Sequence, residues 1–371
     1  APASMDIYFP ALPSLTDDFG VSLSVAQLTV AMFVIGLAFG QLCAGPISDV
    51  LGRRRPLLAS VCVYACAAAA CGLAPTIALL AAGRFFQGFA AAAGVAIGRA
   101  VVRDLYEGSE GARFLSRLVL IYGVSPLIAP ILGGLLLAFG SWRLLFAALI
   151  VLATVVLIAT LRALPETLPP QQRAAGSLGE TVGSFGVLLG DRRLVGYAAA
   201  LGCVSAAVIV MASFSPYVLG DVYGAAPQVF GFVFAAAGAA MVAASQVNVW
   251  LVGRVAPATV LRGALLGLVA IGALLILNAE VVGSPVLFGA MLVLSLPCWA
   301  FAMPNAIALG LAGHPTRAGA AAALMGLAQY AGGAALVPLV GLAGRGSALP
   351  MALTAVCLGL VSLVALRLAT R

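Results

Sequence analysis

One acidic residue of this chain, Asp6, lies well inside an apolar stretch, and Arg84 is the basic residue best placed to face it. An ionisable side chain inside a membrane-spanning helix is costly, so its presence indicates a functional site. A nearby arginine favours the charged carboxylate, while burial favours the neutral one. A carboxylate balanced between these effects could take up a proton on one side of a membrane and release it on the other.

The two residues are expected at matching depth on different helices. Asp6 precedes the loop expected at Pro13 by seven residues, and Arg84 follows the expected helix start at Ile77 by seven residues. At 1.5 Å per residue, each lies about 10 Å below the same membrane surface. Gln87 shares a helix face with Arg84 and could orient it or contact a ligand. The alternative is a static buried ion pair that only holds two helices together.

The composition predicts an all-α membrane protein. The 371 residues are 63% hydrophobic and only 8% charged, whereas a soluble domain carries roughly 25% charged residues. Because lipid requires every backbone polar group to be paired within the span, the apolar runs predict twelve helices. The runs are 1–13, 24–45, 56–74, 77–102, 114–139, 143–164, 194–219, 229–252, 259–280, 284–310, 318–343 and 348–368. The first run is shorter than the ~20 residues that a span needs, so we expect helix 1 to lack its N-terminal half.

The arginines predict the orientation of these helices. If the N-terminal side is cytoplasmic, fifteen arginines fall on the cytoplasmic side and only Arg143 and Arg345 on the outer side. This is a strong positive-inside bias, so the net charge of +7 reflects topology and lipid contact, not nucleic-acid binding. The polar segment 165–193 is an expected cytoplasmic loop between six-helix bundles at 1–164 and 194–371. Two such halves around a central site are a transporter architecture.

The sequence shows no constellation typical of an enzyme or a metal site. Its seven cysteines lie in apolar runs without metal-ligand partners, and its one histidine, His314, falls in an expected cytoplasmic loop. We therefore expect no metal, no cofactor and no catalytic residue.

Five segments resemble the major facilitator superfamily and, within it, bacterial drug:proton antiporters of the bicyclomycin/chloramphenicol resistance (Bcr/CflA) type. They are MDIYFPALPSL at 5–15, GQLCAGPISDVLGRRRPLL at 40–58, RFFQGFAAAAG at 84–94, GVSPLIAPILGG at 123–134 and LPETLPPQQR at 164–173. The resemblance covers nearly the whole chain and implies the major facilitator fold. It implies a multi-pass protein of the bacterial inner membrane, with cytoplasmic termini, that exports drugs by alternating access and a proton gradient. Asp6 and Arg84 match positions that this family uses in proton coupling and drug binding.

The segment between helices 2 and 3 resembles the cytoplasmic gate motif of the superfamily, carried here by Gly45, Asp49, Gly52, Arg53 and Arg54. The glycines are expected to permit close packing and a tight turn. A carboxylate at Asp49 is favoured near the N-terminus of the next helix, and the arginines can reach neighbouring helix ends. Val50 stands where the family usually has an arginine. The alternative is a basic turn that only sets topology.

The expected helix 5 resembles the antiporter signature of the family, with Pro126, Ala129, Pro130, Gly133 and Gly134. Proline bends a helix, and the glycines allow another helix to approach closely. The resemblance implies a bend that limits proton leak. Ala129 replaces the usual glycine, and a simple packing kink is the alternative.

Aromatic and polar residues within the helices are candidates for a substrate cavity, because drug-like ligands favour such surfaces. They are Tyr8, Phe33, Gln87, Tyr122, Phe214 and Gln329. Each of them could instead serve interhelical packing. The expected partners are a small drug, protons and the bilayer, with the protein as a monomer. An exporter of an amino acid or a sugar is the alternative function, since a zwitterion could use Asp6 and Arg84.

Overall fold

The computed structural model describes residues 2–105, 125, 128–173, 186–314, 318–343 and 346–370, and the regular secondary structure in these ranges is helical. Ten of the described helices are long and apolar enough to cross a membrane, and an eleventh apolar helix is shorter. The chain is therefore a multi-pass membrane protein.

The helices follow the predicted order. Helix α1 is broken into Pro2–Asp6, a 3-10 turn at Phe9–Ala11 and Leu12–Phe19. The first half continues with α2 Leu23–Leu51, α3 Arg54–Gly72, α4 Ile77–Leu105, α5 Ile128–Phe139 and α6 Arg143–Ala163. The second half contains α7 Arg192–Tyr217, α8 Pro227–Leu251, α9 Pro257–Leu277, α10 Pro285–Leu311, α11 Ala318–Gly341 and α12 Leu349–Thr370. Each of the twelve apolar runs overlaps one of these helices.

The prediction of a loop at Pro13 is wrong. Pro13 lies in the first turn of the Leu12–Phe19 helix, where a missing backbone N–H costs nothing. The helix ends instead at Gly20, whose φ of 60° is left-handed. Asp6 precedes Phe19 by 13 positions, which include a turn and the 3-10 segment. Asp6 is therefore farther along the chain from the end of this helix than the seven residues that the sequence indicated.

The two halves pack together at the ends that are predicted to face outside. Helix α2 packs on α11, and Ser24 Oγ donates to the Pro338 carbonyl at 2.8 Å. One buried cluster crosses this interface and includes Tyr8 from the first half and Phe214 from the second. Gln27 is fully buried beside the end of α11, and neither amide atom has a hydrogen-bond partner in the described structure. We call this α2–α11 contact the outer interface.

Candidate functional site

Arg84 is fully buried in α4, between two aromatic rings. Its Cζ lies 4.2 Å from the centroid of the Tyr8 ring and 4.1 Å from that of Phe33. Its Nη1 donates to the Ser4 carbonyl at 3.2 Å and to Gln87 Oε1 at 2.7 Å. A planar guanidinium fits between two rings in a way that an ammonium group does not, and such contacts strengthen away from water. Tyr8, Phe33 and Gln87, which the sequence predicted as cavity residues, therefore meet at Arg84.

Neighbouring hydroxyl groups fix the residues that surround Arg84. The hydroxyl of Tyr8 lies 2.6 Å from Thr29 Oγ1, and Ser4 Oγ lies 2.6 Å from the Tyr64 hydroxyl. Thr29 belongs to α2 and Tyr64 to α3, so four helices build the site. Sequence reasoning missed Ser4, Thr29 and Tyr64, because single hydroxyl residues in apolar helices give no local signal.

Three buried donor atoms at this site have no acceptor within the described residues. They are Arg84 Nε, Arg84 Nη2 and Gln87 Nε2. Leaving a buried donor unpaired costs about 1–3 kcal/mol, more for a charged group, and such groups are rare enough to require an explanation. These donors could bind the acceptor atoms of a ligand when the site opens.

Asp6 ends the first segment of α1 and is 8% exposed. Its Oδ2 accepts a hydrogen bond from Ser125 Oγ at 2.8 Å. The ion pairs found within the described ranges are Arg53–Asp49, Arg53–Asp104, Arg143–Asp18 and His314–Asp191. Asp6 and Arg84 thus do not form the expected ion pair in this conformation. They approach the same turn of helix instead, because Arg84 binds the Ser4 carbonyl two positions before Asp6.

Helix α5 contacts α1 at this same turn. Ser125, which bonds Asp6, precedes the start of α5 by three positions, and a Cβ at Gly133 within α5 would lie 2.5 Å from the Ile7 carbonyl oxygen. Only glycine permits this approach. Among the described residues, no atom lies within 4 Å of the Cβ position of Gly134, so the expected close contact is seen there at Gly133 and not at Gly134.

The remaining cavity and α5 candidates either make no hydrogen bond or ring contact with Arg84 among the described residues, or lie outside those residues. Phe214 is buried in the cluster that crosses the two halves, and Gln329 is half-buried in α11. Ala129 is buried, and Pro130 follows it in α5. Tyr122 and Pro126 lie outside the described residues.

A second polar network joins the ends of α2, α3 and α4 that are predicted to be cytoplasmic. The Arg53 guanidinium is almost fully buried and binds Asp49 at 2.5 Å and Asp104 at 2.8 Å. It also donates to Ser48 Oγ at 2.8 Å. Arg54 Nη2 donates to the Leu161 carbonyl of α6 at 2.9 Å. The two arginines reach carboxylates and a helix end, as the sequence predicted.

The carboxylate at the N-terminus of α3 is Glu166, and not Asp49 as expected. Glu166 Oε1 accepts from the backbone N–H groups of Arg53 at 2.7 Å and Leu168 at 3.1 Å, and Oε2 accepts from Arg54 N–H at 3.3 Å. Burial of Glu166 opposes its charge, but these donors outweigh burial and hold the pKa of Glu166 below its usual value. Because Glu166 is far from α3 in sequence, no local pattern could reveal this contact.

Gly52 makes room for Glu166. Its φ of +88° favours glycine, and a Cβ there would lie 2.5 Å from Glu166 Oε2. No atom of the described residues lies within 4 Å of the Cβ position of Gly45, so this part of the chain does not show the close packing expected there. We call Asp49, Arg53, Asp104 and Glu166 the gate network.

Comparisons with known proteins point to one family. The family model described as "Major Facilitator Superfamily" matches residues 1–338. The chain is 35% identical over 356 residues to an "Uncharacterized MFS-type transporter YdgK" of Bacillus subtilis, covering 94% of this chain and 87% of that protein. It is 29% identical over 366 residues to a "Bicyclomycin resistance protein homolog" of Haemophilus influenzae, covering 95% and 89%.

A solved structure shares the fold. The xylose transporter XylE from E. coli, in a partially occluded inward-open conformation, matches with a TM-score of 0.75 over 99% of this chain and 94% of that chain. The two sequences are 12% identical, so this likeness concerns the fold alone.

Proposed function

This chain belongs to the major facilitator superfamily and is a transporter of that fold, and from this premise we propose that it is a proton-coupled antiporter that exports small, mostly apolar drugs. The observation that carries the proposal is the buried guanidinium of Arg84, held between two rings and bonded to the carbonyl of Ser4, two positions before Asp6. The name of the relative from Haemophilus influenzae, a bicyclomycin resistance homologue, supports drug export.

The chemistry around Arg84 suits an apolar compound with hydrogen-bond acceptors. Tyr8 and Phe33 offer apolar surface, and Arg84 and Gln87 offer the three donors that lack acceptors in the described structure. Binding sites for small molecules combine such apolar walls with a few polar groups. A compound bearing amide, hydroxyl or carbonyl oxygens would satisfy the donors.

Proton coupling is assigned to Asp6. The carboxylate lies in a site that is almost closed to water, and it accepts a hydrogen bond from Ser125, three positions before the start of α5. A change in the position of α5 relative to α1 would alter that hydrogen bond and the contact of Gly133 with Ile7. In our proposal, Asp6 exchanges a proton for the drug that binds at Arg84.

Alternating access needs contacts that form on one side of the membrane and break on the other. The outer interface is closed in this conformation, because α2 and α11 are packed together there. The gate network lies at the opposite ends of α2, α3 and α4. We assign the protein to the inner membrane of a bacterium as a monomer, with both termini cytoplasmic.

The proposal is tested by reconstituting the full chain in liposomes that contain a pH-sensitive dye. Amphenicols, bicyclomycin, lipophilic cations, amino acids and sugars are added in turn under an imposed pH gradient. The proposal predicts proton movement in response to one or more of the drugs and none in protein-free liposomes. Proton movement with an amino acid or a sugar but with no drug would favour a metabolite exporter, and drug movement unaffected by the gradient would exclude proton coupling.

A further inference from the structure

An apolar groove of about 350 Å³ runs along the first half of the bundle, outside the site around Arg84. Helices α2 and α3 both pack on α4, and they form the two walls of the groove while α4 forms its floor. On α2 the groove extends from Gly40 to Leu51. These 11 positions correspond to about 16 Å of helix, close to half of a hydrocarbon core of about 30 Å.

The groove opens sideways, towards the lipid. Ile47 and Leu51 on one wall are 38% and 52% exposed, and Val63 on the other wall is 44% exposed. In a chain whose helices cross a membrane, apolar side chains exposed on the outside of the bundle contact hydrocarbon. The occupant of the groove is therefore supplied by the membrane.

The groove ends at Arg55, on the side that is predicted to face the cytoplasm. Arg55 follows two arginines that already have partners, since Arg53 binds Asp49 and Asp104 and Arg54 binds the Leu161 carbonyl. The Arg55 side chain is exposed, and in the described ranges no hydrogen bond or ion pair engages it. Its guanidinium can present two parallel N–H groups to a phosphate.

We infer that this groove binds one anionic phospholipid of the inner leaflet. An acyl chain lies between α2 and α3, and the phosphate of the headgroup pairs with Arg55. The combination of an apolar slot about one leaflet deep with a free cation at its aqueous end complements a lipid, whereas a neutral drug would leave Arg55 unpaired. Arg55, which pairs with the headgroup, follows Arg53 by two positions, so the headgroup lies next to the gate network.

The inference is tested by native mass spectrometry of the full chain in detergent, titrated with phosphatidylglycerol or phosphatidylcholine. Wild-type protein is expected to retain one phosphatidylglycerol and to bind phosphatidylcholine about tenfold more weakly. Both lipids carry the phosphate, but the choline ammonium of phosphatidylcholine cancels its charge and repels Arg55. Arg55→Gln should remove this preference. Ala59→Trp, which fills the groove from an exposed position on α3, should abolish retention of both lipids.

Two control variants separate a built site from general surface attraction. Arg367→Gln removes an exposed arginine near the end of α12, and Ala159→Trp adds the same bulk at an exposed position of α6. Both controls should keep the wild-type lipid and its preference. The inference is overturned if Arg55→Gln keeps the preference, if Arg367→Gln loses it equally, or if Ala59→Trp, with an unchanged elution volume, retains lipid like the wild type.

Discussion

Replacing Arg84 by methionine should abolish transport with little change in stability. The guanidinium is fully buried and pairs with no carboxylate within the described residues. Its two ring contacts and two hydrogen bonds together contribute roughly 7–10 kcal/mol. Burying an ion without a counterion costs an amount of the same order. The two effects largely cancel, so we expect a melting temperature within about 5 °C of the wild type.

Transport should respond very differently. If Arg84 holds the substrate by even two of its unpaired N–H groups, their loss removes about 3 kcal/mol of binding, which corresponds to roughly a hundredfold weaker affinity. Arg84→Lys should also transport poorly, because an ammonium group cannot lie flat between Tyr8 and Phe33. Drug export is measured in proteoliposomes under a pH gradient, and melting is measured in detergent by intrinsic fluorescence.

Arg143 provides a matched control for this experiment. It also lies over an aromatic ring, with Cζ 4.3 Å from the centroid of Trp142, and it pairs with Asp18, but its side chain is 44% exposed. Arg143→Met should therefore change both stability and transport little. Wild-type export by Arg84→Lys would refute the importance of the stacked geometry. If Arg84→Met retained export but lost much of its stability, the role of Arg84 would be structural only.

Three further substitutions test other parts of the account. Gln27→Leu removes a buried amide without partners from the outer interface, so it should raise the melting temperature and slow transport; faster transport would contradict this. Gly133→Leu should clash with the Ile7 carbonyl and cause proton leak without drug, measured by dye quenching, whereas Gly134→Leu should not. Glu166→Gln should lower stability at pH 7. Because the pKa of Glu166 is lowered in the folded protein, this difference should persist down to about pH 4.3 and shrink as the pH falls further.

The fold was largely predictable from the sequence, because most of the apolar runs are long enough to require a helix in lipid. The break in helix 1 was not, since Pro13 can either end a helix or begin one. The pattern alone does not distinguish the two cases. The structure places the start of a second helical segment there.

The residues of the site were more predictable than their contacts. Tyr8, Phe33 and Gln87 were candidates from their types and positions, and they meet at Arg84. The hydrogen bond between Asp6 and Ser125 was not predicted, because the direction of a side chain depends on how the helices rotate and pack. For the same reason, sequence reasoning assigned Asp49 to the helix end that Glu166 occupies.

The central claim, that Asp6 carries the exchanged proton, is tested most directly by Asp6→Asn in proteoliposomes. Drug-driven proton movement and gradient-driven drug export are recorded for this variant, for the wild type and for Asp18→Asn, whose carboxylate is 49% exposed near the predicted outer surface. We predict that Asp6→Asn still binds drug but neither moves protons nor exports drug under a pH gradient, while Asp18→Asn behaves like the wild type. Gradient-driven export by Asp6→Asn at the wild-type rate would contradict the account.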